Sequence, residues 1–222
     1  MTSSAPGRFI TFEGGEGAGK STQVRLLAER LGTRGIRTLT TREPGGSPRA
    51  EEIREVILSG HAARLGPLAE ALLFAAARAD HLASTIRPAL ARGDWVICDR
   101  FADSTRAYQG VAGGLEEGVI NALERLVVGV TRPDLTVVLD LPAEIGLRRA
   151  NQRRGEAAID RFESEPLAFH KALREAFRSI AAREPGRCVL VDATGTPEDV
   201  GQAVWACVWS RLLDDGAGRG HG

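Results

Sequence analysis

The chain has 222 residues, enough for one large domain with a sizeable core. Lys plus Arg and Asp plus Glu both number 29, 43% of the residues are apolar and 26% are charged. These values exclude a disordered, fibrous or membrane-embedded chain and offer no basic excess for nucleic acid or an anionic membrane surface. Any anion site must therefore be local, and arginine must supply most of it, because Lys20 and Lys171 are the only lysines.

In chain order, residues 1–7 are Ser- and Pro-rich, lack an apolar signal core and are expected to form a frayed tail. Phe9 to Glu13 is an apolar run that predicts a strand. It leads into GGEGAGKS at Gly14 to Ser21, the P-loop spacing of glycine, four residues, glycine, lysine and a hydroxyl residue. A helix is predicted over Gly19 to Leu31, with Val24, Leu27, Ala28 and Leu31 on one stripe. A second strand, Ile36 to Thr41, runs into TREPGG at Thr41 to Gly46. A long helix follows over Leu68 to Leu90, its expected buried stripe being Leu68, Leu72, Ala75, Ala79 and Leu82; within it, LFAAARADH sets Phe74 and Arg78 four apart on one face. The third strand, Trp95 to Asp99, ends in DRF, with STRAYQG at Ser104 to Gly110 just beyond. A helix over Glu116 to Val128, a strand over Leu135 to Asp140 and a helix over Ala143 to Ala150 come next.

The polar stretch Asn151 to Asp160, with Arg148, Arg149, Arg153, Arg154 and Arg161 around it, reads equally as a basic flap or as a solvated helix face paired with Glu144, Glu156 and Glu163. Helices over Glu165 to Arg183 and Pro197 to Leu213 bracket a last strand, Cys188 to Asp192. Apolar strands alternating with helices predict an α/β sandwich: a parallel sheet covered on both faces. One domain is expected over 8–213, with a lid segment at about 148–162 and a second tail at 214–222. Cys98, Cys188 and Cys207 form no CxxC pair and read as reduced thiols in a cytoplasmic protein; the apolar run near Ala71 to Ala77 stops at Arg78, so no membrane span is expected.

A strand entering and a helix leaving give the P-loop the context its chemistry needs, since successive backbone N–H groups and the helix N-terminus can converge on one anion. Gly14, Gly15, Glu16, Gly17, Ala18, Gly19, Lys20, Ser21 and Thr22 are thus candidate ATP contacts, with Lys20 against the terminal phosphates and Ser21 toward Mg2+. Asp99 and Asp140 both end apolar strands and compete for the metal role. A P-loop alone does not separate kinase, ATPase and switch, but no Asn-Lys pair exists for a guanine-reading NKxD element. TREPGG, the Phe74/Arg78 helix, DRF and STRAYQG together supply what a nucleoside monophosphate needs: arginines for phosphate, an aromatic for stacking, hydroxyl and amide groups for base edges. Neither a His–carboxylate pair nor metal-ligand spacing marks His61, His81, His170 or His221, which read as surface or local packing residues.

Taken with FEGGEGAGKST and IDRFE, the set REPGG, F-x3-R-x2-H and DR-x3-ST-x2-YQG closely resembles the bacterial thymidylate kinase family from about Arg8 to about Leu213. The resemblance implies a three-layer P-loop kinase fold with a five-stranded parallel sheet, a homodimer, Mg2+ as cofactor, and transfer of a phosphoryl group from ATP to dTMP. It further implies that Phe74 stacks on thymine, that Arg78, Thr105 and Gln109 face the base, and that Arg100 holds the acceptor phosphate. Arg42 is then a helper, unless it pairs with Glu43 on the surface, and Tyr108 crowds the sugar C2′. With Glu16 rather than arginine in the loop, the chain looks like family members whose lid supplies the catalytic cation. Arg154 is the expected residue, supported by Arg149, Arg153 and Arg161. Other readings are a kinase for dUMP or dCMP, and a P-loop binding module without acceptor chemistry.

Overall fold

The computed structural model describes residues 7–60, 62–154 and 162–214, the side chains of residues 63, 153 and 154 excepted. The tail positions 1–6 and 215–222, most of the arginine flap including Arg161, the side chains of Arg153 and Arg154, and His61 and His221 lie outside the described residues.

Among those residues five parallel strands form one sheet in the order β2-β3-β1-β4-β5: β1 (Phe9–Glu13), β2 (Thr38–Arg42), β3 (Trp95–Asp99), β4 (Leu135–Asp140) and β5 (Cys188–Asp192). The three inner strands are buried along nearly their whole length, as their unbroken apolar runs require. Both edge strands depart from that expectation: β2, TLTTR, has no fully buried residue, and Leu190 and Asp192 of β5 are exposed. An edge strand has one neighbour fewer and is less covered by crossover helices.

Alternation along the strands builds the layers. Ile10 and Phe12 of β1 pack with Val137 and Leu139 of β4 against α1 (Lys20–Gly32) and α9 (Pro197–Val208), through Leu27, Leu31, Val204 and Val208. Phe9 points the other way, with Val96 and Cys98, toward Leu82, Ile86 and Phe101. On that same side Val138 meets Leu173, Phe177 and Ile180 of α8 (Leu167–Arg183). All three cysteines are free, Cys98 and Cys188 being buried.

The remaining α-helices are α2 (Pro48–Leu58), α3 (Gly66–His81), α4 (Arg87–Ala91), the short α5 (Ala102–Thr105), α6 (Glu117–Val127) and α7 (Ala143–Arg154). Three of these correct the sequence reading. First, α2 has a proline in its first turn and buries only Ala50 and Ile57, too weak a stripe to stand out. Second, the long helix predicted over 68–90 is α3, a π-helical turn (Leu82–Ile86) and α4, and its buried side differs from the expected one. Ala75 and Leu82 of the expected stripe are buried, but Leu68, Leu72 and Ala79 are exposed, and Glu70, Ala71, Ala77, Arg78 and His81 are buried in their place; the polar groups among them find partners inside, which apolar periodicity does not register. Third, α7 continues to Arg154, four residues beyond the expected end, because Asn151 to Arg154 contain no helix breaker.

Candidate active site

The C-terminal ends of the strands carry the chemistry, as the open crevice of a parallel sheet dictates. Parallel register sets Asp99 beside both Phe12 and Arg42, so the ends of β1, β2 and β3 meet at one edge. The glycine-rich loop leaves β1 there, with Gly14, Gly17 and Gly19 all at positive φ. Lys20 is buried in its curve and donates to the carbonyl oxygens of Gly14 and Gly15 at 3.1 and 2.8 Å. Burial first, and then the neighbouring Arg100, pulls the Lys20 ammonium down to about 8. Ser21 donates to Asp99 Oδ2 at 2.5 Å. Asp140 is drawn elsewhere, bound by Arg174 at 2.6 and 2.9 Å and by Arg178 at 3.0 Å.

Two cavities flank this loop. One, of about 630 Å³, is lined by Gly17, Ala18, Gly19, Thr22, Gln23, Arg149 and the segment from Ala193 to Val200. Arg149, on α7, donates to the carbonyl oxygens of Ala193 and Thr194 at 3.0 and 3.2 Å. The other, of about 230 Å³, brings together Glu16, Ser21, Arg42, Phe74, Asp99, Arg100, Thr105, Tyr108 and Gln109. Residues from five stretches of chain thus converge on one cleft.

Arg100 is its centre. This residue occupies the left-handed region at φ 69, and its own N–H donates to Phe12 O at 2.9 Å. Its guanidinium reaches Glu16 Oε1 at 2.6 Å and Gly14 O at 3.1 Å, and lies 5.0 Å over the Tyr108 ring. Burial opposes the Arg100 charge, but Glu16 foremost holds it firmly protonated. For Glu16, burial is outweighed by Arg100 and then Lys20, and with the Tyr108 hydroxyl donating at 2.7 Å the carboxyl is held at about 2. Tyr108 is fixed edge-on by Phe162, 5.2 Å away, and Phe74 tilts against the same Phe162 ring at 6.4 Å.

Several expected contacts are already engaged within the protein. Arg78 is buried and does not line the cavity: its Nε donates to Glu43 Oε2 at 2.7 Å, and its Nη2 donates to Phe101 O and Thr105 Oγ1, both at 3.1 Å. Gln109 donates to Glu70 at 3.1 Å. Arg42 pairs with Glu51 at 3.0 Å and not with Glu43, which has turned inward to Arg78 and to His81 Nδ1, 3.0 Å away.

Residue types and spacing missed Glu13, Arg54 and the Ala193–Val200 segment. Glu13 is fully buried; Oε1 accepts from the Phe101 N–H at 2.8 Å and Oε2 from the Ser104 hydroxyl at 2.6 Å, so it holds both sides of the turn after Arg100. Burial, then Asp103, pushes Glu13 up to about 8. A carboxylate closing a strand gave no signal beyond its FEG context. Arg54 and the Ala193–Val200 segment enter the cavities only through the crossover connections.

Two clefts beside one P-loop, one of them lined by an arginine and an aromatic, are what transfer between two phosphate-bearing molecules requires. The family model for thymidylate kinase matches residues 12–204. The chain belongs to the thymidylate kinase family. Thymidylate kinase from Bradyrhizobium diazoefficiens is 61% identical over 211 residues, covering 95% of this chain and 92% of that relative. The enzyme from Rhodopseudomonas palustris is 61% identical over 209 residues, covering 94% and 91%. The crystal structure of thymidylate kinase from Ehrlichia chaffeensis superposes with a TM-score of 0.75 at 33% identity, covering 92% of this chain and all of that one. As a thymidylate kinase the chain is a phosphotransferase acting on dTMP, and the α/β fold with five parallel strands is the family's.

Proposed function

We propose that ATP occupies the cavity beside α7 and dTMP the cavity around Arg100, and that the phosphoryl group passes between them across Lys20, giving ADP and dTDP. The observation that carries this reading is the pair of cavities beside one P-loop, the first walled by the loop glycines, Arg149 and the segment after β5, the second by Phe74, Arg100 and Tyr108. Phe74 is the stacking surface for thymine, Thr105 and Gln109 supply the polar wall for base edges, and Arg78 holds Thr105 from behind. Arg100, helped by Arg42, takes the acceptor phosphate, and Tyr108 closes on the sugar.

The acceptor needs no general base, because a phosphate monoester with a second pKa of roughly 6 is already largely dianionic at neutral pH. The work left to the protein is to hold charge and geometry. Arg100 is the cation that can change partners, from Glu16 in the ligand-free cleft to the incoming phosphate. Lys20, now turned to carbonyl oxygens, gains a stronger partner when the donor phosphates arrive, and its proton is then held more tightly.

Ser21 and Asp99 suit Mg2+, since a hydroxyl and a carboxylate held together are hard oxygen donors. Among the described residues no group of three or more His, Cys, Asp or Glu side chains is placed to hold an ion, so the fit rests on this pair. When bound, Mg2+ would supply charge neutralisation on the polyphosphate. Arg154 is our choice for the lid cation that meets the transferring group, with Arg149, Arg153 and Arg161 in support. Val56, Leu65, Leu68 and Leu72 are exposed on and around α2 and α3, which supports a homodimer built on that face. Three unpaired cysteines support a cytoplasmic protein, and no helix among the described residues is long and apolar enough to cross a membrane.

The test is purified protein with Mg-ATP and dTMP, dUMP, dCMP, dGMP or AMP, read as ADP release. dTMP is expected to be preferred, with dUMP behind it by about 10- to 200-fold, the worth of one methyl group in a fitted pocket. Preference for a purine acceptor would reject the assignment, and ADP release at full rate without any acceptor would favour an ATPase.

A further inference from the structure

The outer side of the P-loop rests on the helix that leads to the lid. Gly17, at φ 66, lies so close to the first turn of α7 that a Cβ there would overlap the carbonyl oxygen of Gly146. A Cβ on Gly146 would in turn overlap the carbonyl oxygen of Glu16. Both obstacles are backbone atoms, so no change of rotamer relieves either clash. One turn further on, Arg149 is tied to the carbonyl oxygens of Ala193 and Thr194. Residues three apart share a helix face. The face of α7 that contains Gly146 and Arg149 is therefore pinned to the P-loop at one point and to the segment after β5 at the other, with the larger cavity between them.

The helix itself has no need of glycine at 146. Its φ is not positive, and alanine is the better helix former at such a position. Gly118, near the start of α6, is a natural contrast, because a Cβ there meets nothing within 4 Å. We infer that Gly146 is a positioning residue for phosphoryl transfer: its missing side chain lets α7 seat on the P-loop at backbone contact, and that seat fixes the Arg149 face of the helix relative to the donor phosphates. The inference rests on assigning the larger cavity to ATP.

Gly146→Ala, Gly118→Ala and Arg149→Ala are compared in the full chain for kcat, ADP and dTMP affinity by calorimetry, and thermal midpoint. Gly118→Ala is expected to keep kcat and both affinities within twofold. Gly146→Ala is expected to lose about tenfold in ADP affinity and tenfold or more in kcat, while dTMP affinity stays within threefold and the midpoint within a few degrees. Wild-type ADP affinity and kcat in Gly146→Ala would overturn the inference. So would loss of ADP and dTMP binding together with a lowered midpoint, since that marks a purely structural role. Arg149→Ala separates the underlying assignment: unchanged ADP affinity there rejects the ATP cavity itself, whereas weakened ADP affinity there with an unaffected Gly146→Ala rejects only the positioning role.

Discussion

The two cavities are built from different materials. Around the larger cavity, which we assign to the donor, the chain presents two short stretches, the P-loop with the start of α1 and the segment after β5, and a single arginine already held by two carbonyl oxygens of that segment. Around the smaller cavity, which we assign to the acceptor, it presents side chains from many elements, and their charges are satisfied by paired groups, Arg100 by Glu16, Glu43 by the Arg78 behind it and Arg42 by Glu51. Where the P-loop meets α7 at backbone contact the wall is fixed as soon as the two elements pack, and it does not tolerate added volume. A wall of mutually paired charges keeps buried groups from standing unpaired, and it must exchange partners when the ligand arrives.

This contrast can be broken most severely from the donor side. Arg154→Ala is expected to lower kcat on the order of 10^3-fold, the lower end of what an arginine finger contributes, with the KM for dTMP within threefold; a nearly unchanged kcat would move the role to another lid arginine. Next in size is Arg100→Lys, which keeps the charge but loses the planar fork shared among Glu16, Gly14 and Ser104. It should cost about 10^2-fold in kcat/KM for dTMP while ADP affinity, measured by calorimetry, is unchanged; equal losses on both ligands would mean the cavities are not separable.

A smaller effect follows from pH. With Lys20 drawn down to about 8 in the ligand-free enzyme, kcat/KM for ATP should fall about tenfold per pH unit above that value, as the ammonium gives up its proton. A flat profile to pH 10 would show that the buried lysine keeps its charge.

The smallest concerns stability. Glu13 is raised to about 8, so between the ordinary carboxylate range and that value the folded chain holds a proton that the unfolded chain has released. Its contribution is fully present at pH 4 and is lost as pH climbs through 8. The thermal midpoint of wild type should therefore decline over this window by a few degrees more than that of Glu13→Gln. Parallel curves for the two proteins would remove Glu13 from the titration.

The P-loop was legible because its chemistry depends on a local string: backbone amides in a turn need glycines at fixed spacing, and Lys20 and Ser21 must follow at the helix start. Phe74, Arg100, Thr105, Tyr108 and Gln109 were legible as motifs, and they line one cavity. Their pairings were not. Nothing local distinguishes Glu43 facing Arg78 from Glu43 facing Arg42; the choice follows from α3 packing beside β2, which offers the inward carboxylate both Arg78 and His81. The buried face of α3 was misjudged for the same reason, because polar residues that find partners inside are invisible to a count of apolar spacing.

The sequence by itself determined the alternating strands and helices, the anion cradle and the identity of the residues that can meet a nucleotide, since each depends on backbone propensity or on a few consecutive side chains. Only the tertiary structure decided that Asp140 belongs to Arg174 and Arg178 while Asp99 stands with Ser21, and that Glu16 spans the charge between Lys20 and Arg100. It also decided that α7 rests on the P-loop through two glycines. These are contacts between segments as much as 130 residues apart along the chain, and distance in a folded chain is set by how its layers stack.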